Sequence, residues 1–578
     1  MASTASSSGA SSSGSGFSKG DKLDPITRNA LRYTISPKEY GLLHQYLLSR
    51  APPTVRKRVP RPPNYEAIVK SMDDYNAAAV RAALRVFGVT IGGLKLFQFI
   101  MGRVMSRRGI TVPYATLPFW KNTGVRLSSA LALLLLFHRL LHRFFLRLRA
   151  SLLLPSSDAF RSRNPGVSSL LTSRLAAPIG ASLAGGFLAL YPAAQLRITA
   201  AIYVFSRSLE YIYNALDEEG YLANKPWWFG SWLLMPLSFG QLLHSFVFER
   251  DCMPPAFANF ARNYGGPYIQ ARPSASDYPA SAPWPETDEI VDGLAEISNL
   301  KWPAFISPTL FPNNPNPLPS TLSKISPITS PAHPALQHLS CALVHPSDPS
   351  CLRTYIHYFL SVFPRVTRFF AIIYGALSLF RLKAILANPG TALNGLAKSI
   401  LRISLMITGA LGTSWGSICL FNNILPGKAI PELRWFLGGA LGGLWGFVEH
   451  GNPNARGNFM YTTRSSLDSL WKVGVKRRWW KGVANGDVIL FIASLAAINA
   501  VHEIRPSAVR GPAIRKAISS LSGEGWTDRC ATKADTKGKG PETASQDGKD
   551  DKSMSDVRRS VTGGSETLGE STVVVDRE

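Results

Sequence analysis

The sequence predicts an all-α, polytopic membrane protein made of two tandem parallel repeats, each of about four short glycine-packed helices. Three observations carry this. Charged residues make up 17% of the 578-residue chain, against ~25% in soluble domains, while the apolar share is ordinary. The mean hydropathy of +0.04 averages polar ends with a much more apolar middle. Like residues also recur in the two halves at a constant shift of 258.

The chain divides by composition. Residues 1–70 are Ser/Gly-rich, then Pro/Arg-rich ("APPTVRKRVPRPPNYE"), and read as a disordered basic arm. Residues 71–255 hold the first membrane repeat, led by an amphipathic helix over 77–104 that carries Arg81, Arg85 and Lys95. Residues 256–337 read as a Pro-rich linker, with short structure in "TDEIVDGLAEISNL". The second repeat covers 338–505. Residues 506–578 are charged and poor in large apolar side chains, the pattern of a disordered polar tail.

Crossing a bilayer takes ~20 apolar residues, because a helix rises ~1.5 Å per residue through a ~30 Å core. In the first repeat Leu127–Leu148, Leu175–Ala194 and Trp227–Phe248 approach that length. Ile198–Tyr213 lies between the last two and is shorter and charged. The second repeat offers Phe369–Phe380, Ile403–Leu425, Trp435–Glu449, Asn458–Trp471 and Asp487–Val501.

The glycines decide how these helices pack. Gly438, Gly439, Gly442, Gly443 and Gly446 recur at four-residue intervals, not at the i, i+2, i+5 spacing of a dinucleotide loop. Four-residue spacing makes a stripe on one helix face, where missing side chains let another backbone approach. Ala177, Ala181, Gly185 and Ala189 echo the stripe in the first half, and Thr408, Gly412 and Gly416 repeat it in the helix before. "GTSWG" around Ser414 matches a nucleophile elbow in letters only, since it sits inside an apolar helix rather than a strand–turn–helix.

The shift of 258 sets Leu183 on Leu441, Gly185 on Gly443, Tyr203 on Tyr461, Ser208 on Ser466 and His244 on His502. It also sets Glu210 on Asp468. The two charged helices therefore occupy equivalent places, with Arg207 and Glu210 three apart and Arg464 and Asp468 four apart. Both spacings allow ion pairs within a helix. Such charges lie at the interface or face a polar groove, because a lone charge at the bilayer centre costs ~2.5–3.5 kcal/mol on insertion scales.

His338, Cys341, His345 and Cys351 form H-x2-C-x3-H-x5-C, looser than paired zinc spacings and broken by Pro346 and Pro349. No metal, cofactor-binding or catalytic residue is assigned. The net charge of +26 is spread between apolar runs, without a nucleic-acid-binding signature. The expected partners are the lipid bilayer and, through the glycine-striped helices, a second copy or another membrane protein.

At "CALVHPSDPSCLRTYIHYFLSVFPR" (341–365) and through Cys419 into the glycine repeat, the sequence resembles the transmembrane protein 135 family. The resemblance covers about 175–255 and 338–505. It rests on His345, Pro346, Ser350 and Cys351, on the small-residue helix, and on the aromatic and acidic helix of both halves. That family is similar in turn to the channel subunits of the mitochondrial inner-membrane translocases. The resemblance implies a multi-pass protein of the peroxisomal membrane, with mitochondria as the alternative address. It implies transport or organelle and lipid organisation, with short helices beside a hydrophilic groove. A non-transporting scaffold or tether is the alternative, a membrane-embedded enzyme the third, and no enzyme is expected.

Overall fold

A computed structural model describes residues 25–53, 60–69, 74–107, 118, 121–272, 284–308, 310–313, 320–379, 382–452 and 455–531. The described residues form helices joined by turns and 3-10 segments, with a single β-bridge between Ala304 and His338. Three short helices come first, α1 (Pro25–Thr34), α2 (Pro37–Tyr46) and α3 (Pro62–Val69). Next are α4 (Tyr75–Ser106), α5 (Thr123–Leu152), α6 (Asp158–Arg163), α7 (Pro165–Thr172) and α8 (Ala176–Ala181), which continues as a 3-10 helix over Ser182–Leu190. Then follow α9 (Ala194–Glu218), α10 (Leu234–Phe248) and α11 (Pro255–Gly265). The connector carries α12 (Thr287–Asn299), α13 (Ser326–Thr329) and α14 (Leu339–Val344). The second half adds α15 (Cys351–Ser378), α16 (Leu382–Ala387), α17 (Pro389–Ile424) and α18 (Leu433–Gly443), itself continued as a 3-10 helix over Leu444–Glu449. Last come α19 (Ala455–Lys476), α20 (Gly486–Ile504) and α21 (Pro512–Leu521).

Among the described residues, α4, α5, α15, α17 and α20 are long and apolar enough to cross a membrane. A sixth span would be α7 with the Ala176–Leu190 element, which meet at an 85° bend. The outer faces agree: Leu352, Ile356, Leu360 and Ile372 on α15 are exposed, a surface that water penalises and lipid does not. The chain is an all-helical integral membrane protein.

Several boundaries differ from expectation. The 77–104 segment is a 32-residue helix with the composition of a span rather than an interfacial element. Near its start Arg81 is buried and donates to the Arg32 carbonyl and to Asp74. Residues 25–69, expected to be disordered, include a small stacked core of Tyr40 on Tyr65, 3.8 Å between ring centroids. Residues 1–24 lie outside the described part. Leu175–Ala194 is not one span: its helix covers only Ala176–Leu190, takes 3-10 geometry from Ser182 onward, and meets α7 at the 85° bend.

The Pro-rich connector is no loose spacer. Ile290, Val291, Leu294 and Ile297 of α12 are buried, as are Leu322, Ile325, Ile328 and Leu336 after it. All join the main core with Phe246, Tyr268, Tyr358, Trp415 and Trp435. Each such side chain contributes about 1.5–3 kcal/mol on burial, enough to fix the segment over one end of the bundle. Prolines interrupt helices but do not stop the apolar residues between them from packing. The tail is likewise ordered to Ala531: Ala508, Val509 and Ile518 pack with Tyr211, Ile498 and Val501. Residues 532–578 lie outside the described part.

The helices pack crosswise. α4 lies on α5 and α15 on α17; α5 meets the α8 element and α17 meets α18. The next layer exchanges halves. α10 packs along α18 and α19, whereas α20 packs on the α8 element and along α9. This exchange brings α9 and α19, the two charged helices, against one another.

Candidate functional site

The glycine stripes make the exchange possible. α18 uses two adjacent rows. Gly438 and Gly442 meet α17, where a Cβ on Gly442 would stand 2.5 Å from the Ala410 carbonyl oxygen and also clash with Ser414 Oγ. Gly439 and Gly443 meet α10: a Cβ on Gly443 would lie 2.5 Å from Pro236 Cα and 2.6 Å from the Met235 carbonyl oxygen. Gly446 continues this row against Met235. Gly185 is the counterpart in the first half, facing Phe491 and Ile492 of α20 at 3.0 and 3.2 Å. Gly412 and Gly416 receive the rings of Tyr358, Tyr355 and Tyr268. Ser414 faces Gly442 inside this packing, far from any strand–turn–helix. The α18 stripe expected to meet a second copy is therefore filled from within the chain.

Along α9 and α19 the exchange builds a polar seam. Arg207 Nη1 donates to Glu210 Oε2 at 2.6 Å within α9. Arg456 of α19 reaches the other Glu210 oxygen at 3.2 Å and also donates to Asn214 Oδ1. Asn214 Nδ2 in turn holds the Ala508 carbonyl oxygen at 2.9 Å. The expected Arg464–Asp468 pair does not form. Arg464 instead turns to α9, donating to Ser206 Oγ at 2.6 Å with its guanidinium 4.3 Å from the Tyr203 ring centre. Asp468 accepts from Lys472 at 2.7 Å and from Gln195 at 3.4 Å. For Arg464 a partner on the facing helix replaces the intrahelical one, whereas Asp468 pairs within its own helix, with Lys472.

Two arginines, 207 and 456, thus share one carboxylate, Glu210, while Arg464 has no carboxylate partner among the described residues. Arg207 Nε, Arg464 Nη2 and Asp468 Oδ1 are buried without a hydrogen-bond partner. A guanidinium with an unused N–H edge is suited to a carboxylate or phosphate oxygen. Sequence spacing singled out Arg207, Glu210, Arg464 and Asp468 but missed Arg456 and Tyr203. Arg456 lies eight residues before Arg464 on the same helical face, a signal that was available.

A second convergence lies at one end of the bundle. Cys341 of α14, Cys351 at the start of α15, Cys419 near the end of α17 and His345 bring Sγ and ring nitrogen atoms within 4.8 Å of one another. Cys341 Sγ is 3.7 Å from Cys419 Sγ and 4.0 Å from Cys351 Sγ. His345 Nε2 is 3.6 Å from Cys419 Sγ, while Nδ1 is held 2.7 Å from the Asp348 carbonyl oxygen. Three members of the H-x2-C-x3-H-x5-C pattern converge; His338 instead bridges to Ala304, and Cys419 takes its place. No local spacing signals Cys419, which lies among apolar residues 68 positions after Cys351.

In comparisons with protein families, with characterised proteins and with solved structures, the chain shows no match.

Proposed function

We propose that the protein supports passage of an anionic solute or lipid headgroup through or along an organelle membrane, with the α9–α19 seam as the working surface. The observation that carries this reading is the excess of positive charge there: Arg207, Arg456, Arg464 and Lys472 outnumber the two carboxylates, Glu210 and Asp468. Charges held inside a membrane bundle are costly, so their presence marks a pathway or binding surface by default. The family resemblance supports a peroxisomal address, with the mitochondrial membrane as alternative.

We infer further that the two halves arose by tandem duplication. Gly185 faces Phe491 and Ile492, and Gly443, at the equivalent position, faces Met235 and Pro236. Subtracting the shift of 258 from the first pair gives 233 and 234, within two residues of the second. Parallel copies related by an axis along the membrane normal account for this exchange.

Vesicles containing the purified chain test the reading. They should leak an anionic probe faster than a cationic one, and Arg207→Gln with Arg464→Gln should abolish the difference. Flux equal to that of empty vesicles for both probes would instead favour a scaffold or tether. That second reading has its own support: Gly88, Gly92 and Gly93 on α4 face open space, leaving room for another helix. Imaging a tagged copy against peroxisomal and mitochondrial markers decides the address.

A further inference from the structure

We propose that Cys341, His345, Cys351 and Cys419 bind one Zn2+ ion in a closed structural site that fastens the connector to α15 and α17. The geometry matches a coordination sphere. With Zn–S at ~2.3 Å and Zn–N at ~2.0–2.1 Å, tetrahedral angles set sulfurs about 3.8 Å apart and sulfur from nitrogen about 3.6 Å. The observed separations are 3.7 and 4.0 Å between sulfurs and 3.6 Å from sulfur to nitrogen.

The histidine is prepared for this role. Its Nδ1 lies 2.7 Å from the Asp348 carbonyl oxygen, which places the ring proton there and turns the Nε2 lone pair to the sulfurs. Metal-bound histidines commonly have their second nitrogen fixed in this way.

The donor set selects the ion. Three thiolates and an imidazole, with no carboxylate among them, suit zinc and disfavour magnesium or calcium. Four protein ligands leave no open position, which makes the site structural rather than catalytic. A two-iron cluster would divide its terminal ligands into two pairs on separate irons, whereas these four donors form one tight knot. A disulfide needs sulfurs at ~2.05 Å and would leave one cysteine and the histidine unused. Binding displaces three thiol protons to solvent, so Zn2+ with three thiolates and neutral His345 carries a net charge of −1.

The consequence is mechanical. Cys341 and Cys419 are 78 residues apart, and the ion would join the connector to the ends of two membrane helices. It would hold the seam helices indirectly, through α10 and α18, which pack on α12 and α17.

Metal analysis of the full chain purified in detergent tests the proposal. About one zinc per chain is expected. Cys341→Ser with Cys419→Ser should remove it, while Cys252→Ser with Cys530→Ser should leave it in place. His345→Cys should retain the metal as a four-thiolate site. Should the double variant fail to fold, Co2+ exchanged into the unmodified chain should show thiolate-to-metal charge transfer and intense tetrahedral visible bands. Absence of those bands, zinc that survives the double substitution, or a disulfide among Cys341, Cys351 and Cys419 in the purified chain would overturn the assignment.

Discussion

Arg464 of α19 donates to Ser206 of α9 across 2.6 Å, and the two stand 258 positions apart. That interval is the one that sets Tyr203 on Tyr461 and Gly185 on Gly443. Under the proposed duplication these two positions are equivalent, and equivalent positions touch only near the axis that relates the copies. Tyr203 lies beside this contact, against the Arg464 guanidinium.

Glu210 holds this centre together electrostatically. Its side chain is 5% exposed and accepts from both Arg207 and Arg456. Glu210→Gln leaves two guanidiniums facing each other without a counter-charge. Because the arginines are partly exposed, the expected loss is about 2 kcal/mol, below the ~3–5 kcal/mol of a fully buried broken pair. Denaturant unfolding in detergent checks it; an unchanged midpoint would mean that the seam is solvated and its charges are idle.

The glycines should rank by what they touch. Gly443→Ala pushes a methyl group into the backbone of Met235 and Pro236, which cannot yield. Gly185→Ala meets only the side chains of Phe491 and Ile492, which can shift by a few tenths of an ångström. Gly92→Ala meets open space and should stabilise the helix by up to ~1 kcal/mol. Thermal midpoints in one detergent should fall most for Gly443→Ala, less for Gly185→Ala, and not at all for Gly92→Ala.

Arg434 is buried and donates to the Ala429, Leu425 and Pro426 carbonyls and to Asn422 Oδ1. It ties the turn between α17 and α18 to Asn422 in the last turn of α17. Lysine has the charge but not the planar fork, so Arg434→Lys should cost about 2 kcal/mol or more. Protease sensitivity at the α17–α18 turn should rise in this variant, and a wild-type digestion pattern would contradict its role in holding that turn.

Truncation separates the two parts of the tail. A chain ending at residue 531 keeps α21 and its core and serves as the reference. One ending at residue 505 loses Ala508, Val509 and Ile518 from their core, and His138 loses the Leu521 carbonyl at 3.0 Å. Its midpoint should fall by several degrees. Equal stability of the two truncations would show that α21 docks without consequence.

Sequence patterns exposed what is periodic. The four-residue spacing of Gly438, Gly442 and Gly446 identified a helix face, because period alone fixes which side chains share a surface. It did not identify the occupants of that face, which come from α10 and α17. In the connector, prolines mask short amphipathic pieces; Ile290, Val291, Leu294 and Ile297 make a helical stripe in one of them. The metal-type pattern was half legible: Cys341, His345 and Cys351 are local, and Cys419 is not.

Composition and spacing by themselves determined the helical membrane class, the glycine seams and the two charged helices, since these depend on neighbours along one helix. Tertiary structure decided that the halves exchange helices, that Arg464 turns to Ser206 rather than Asp468, and that Cys419 completes the knot. Each of these is a contact between residues more than 70 positions apart. Which partner wins there depends on how rigid helices are docked, and no local period records that.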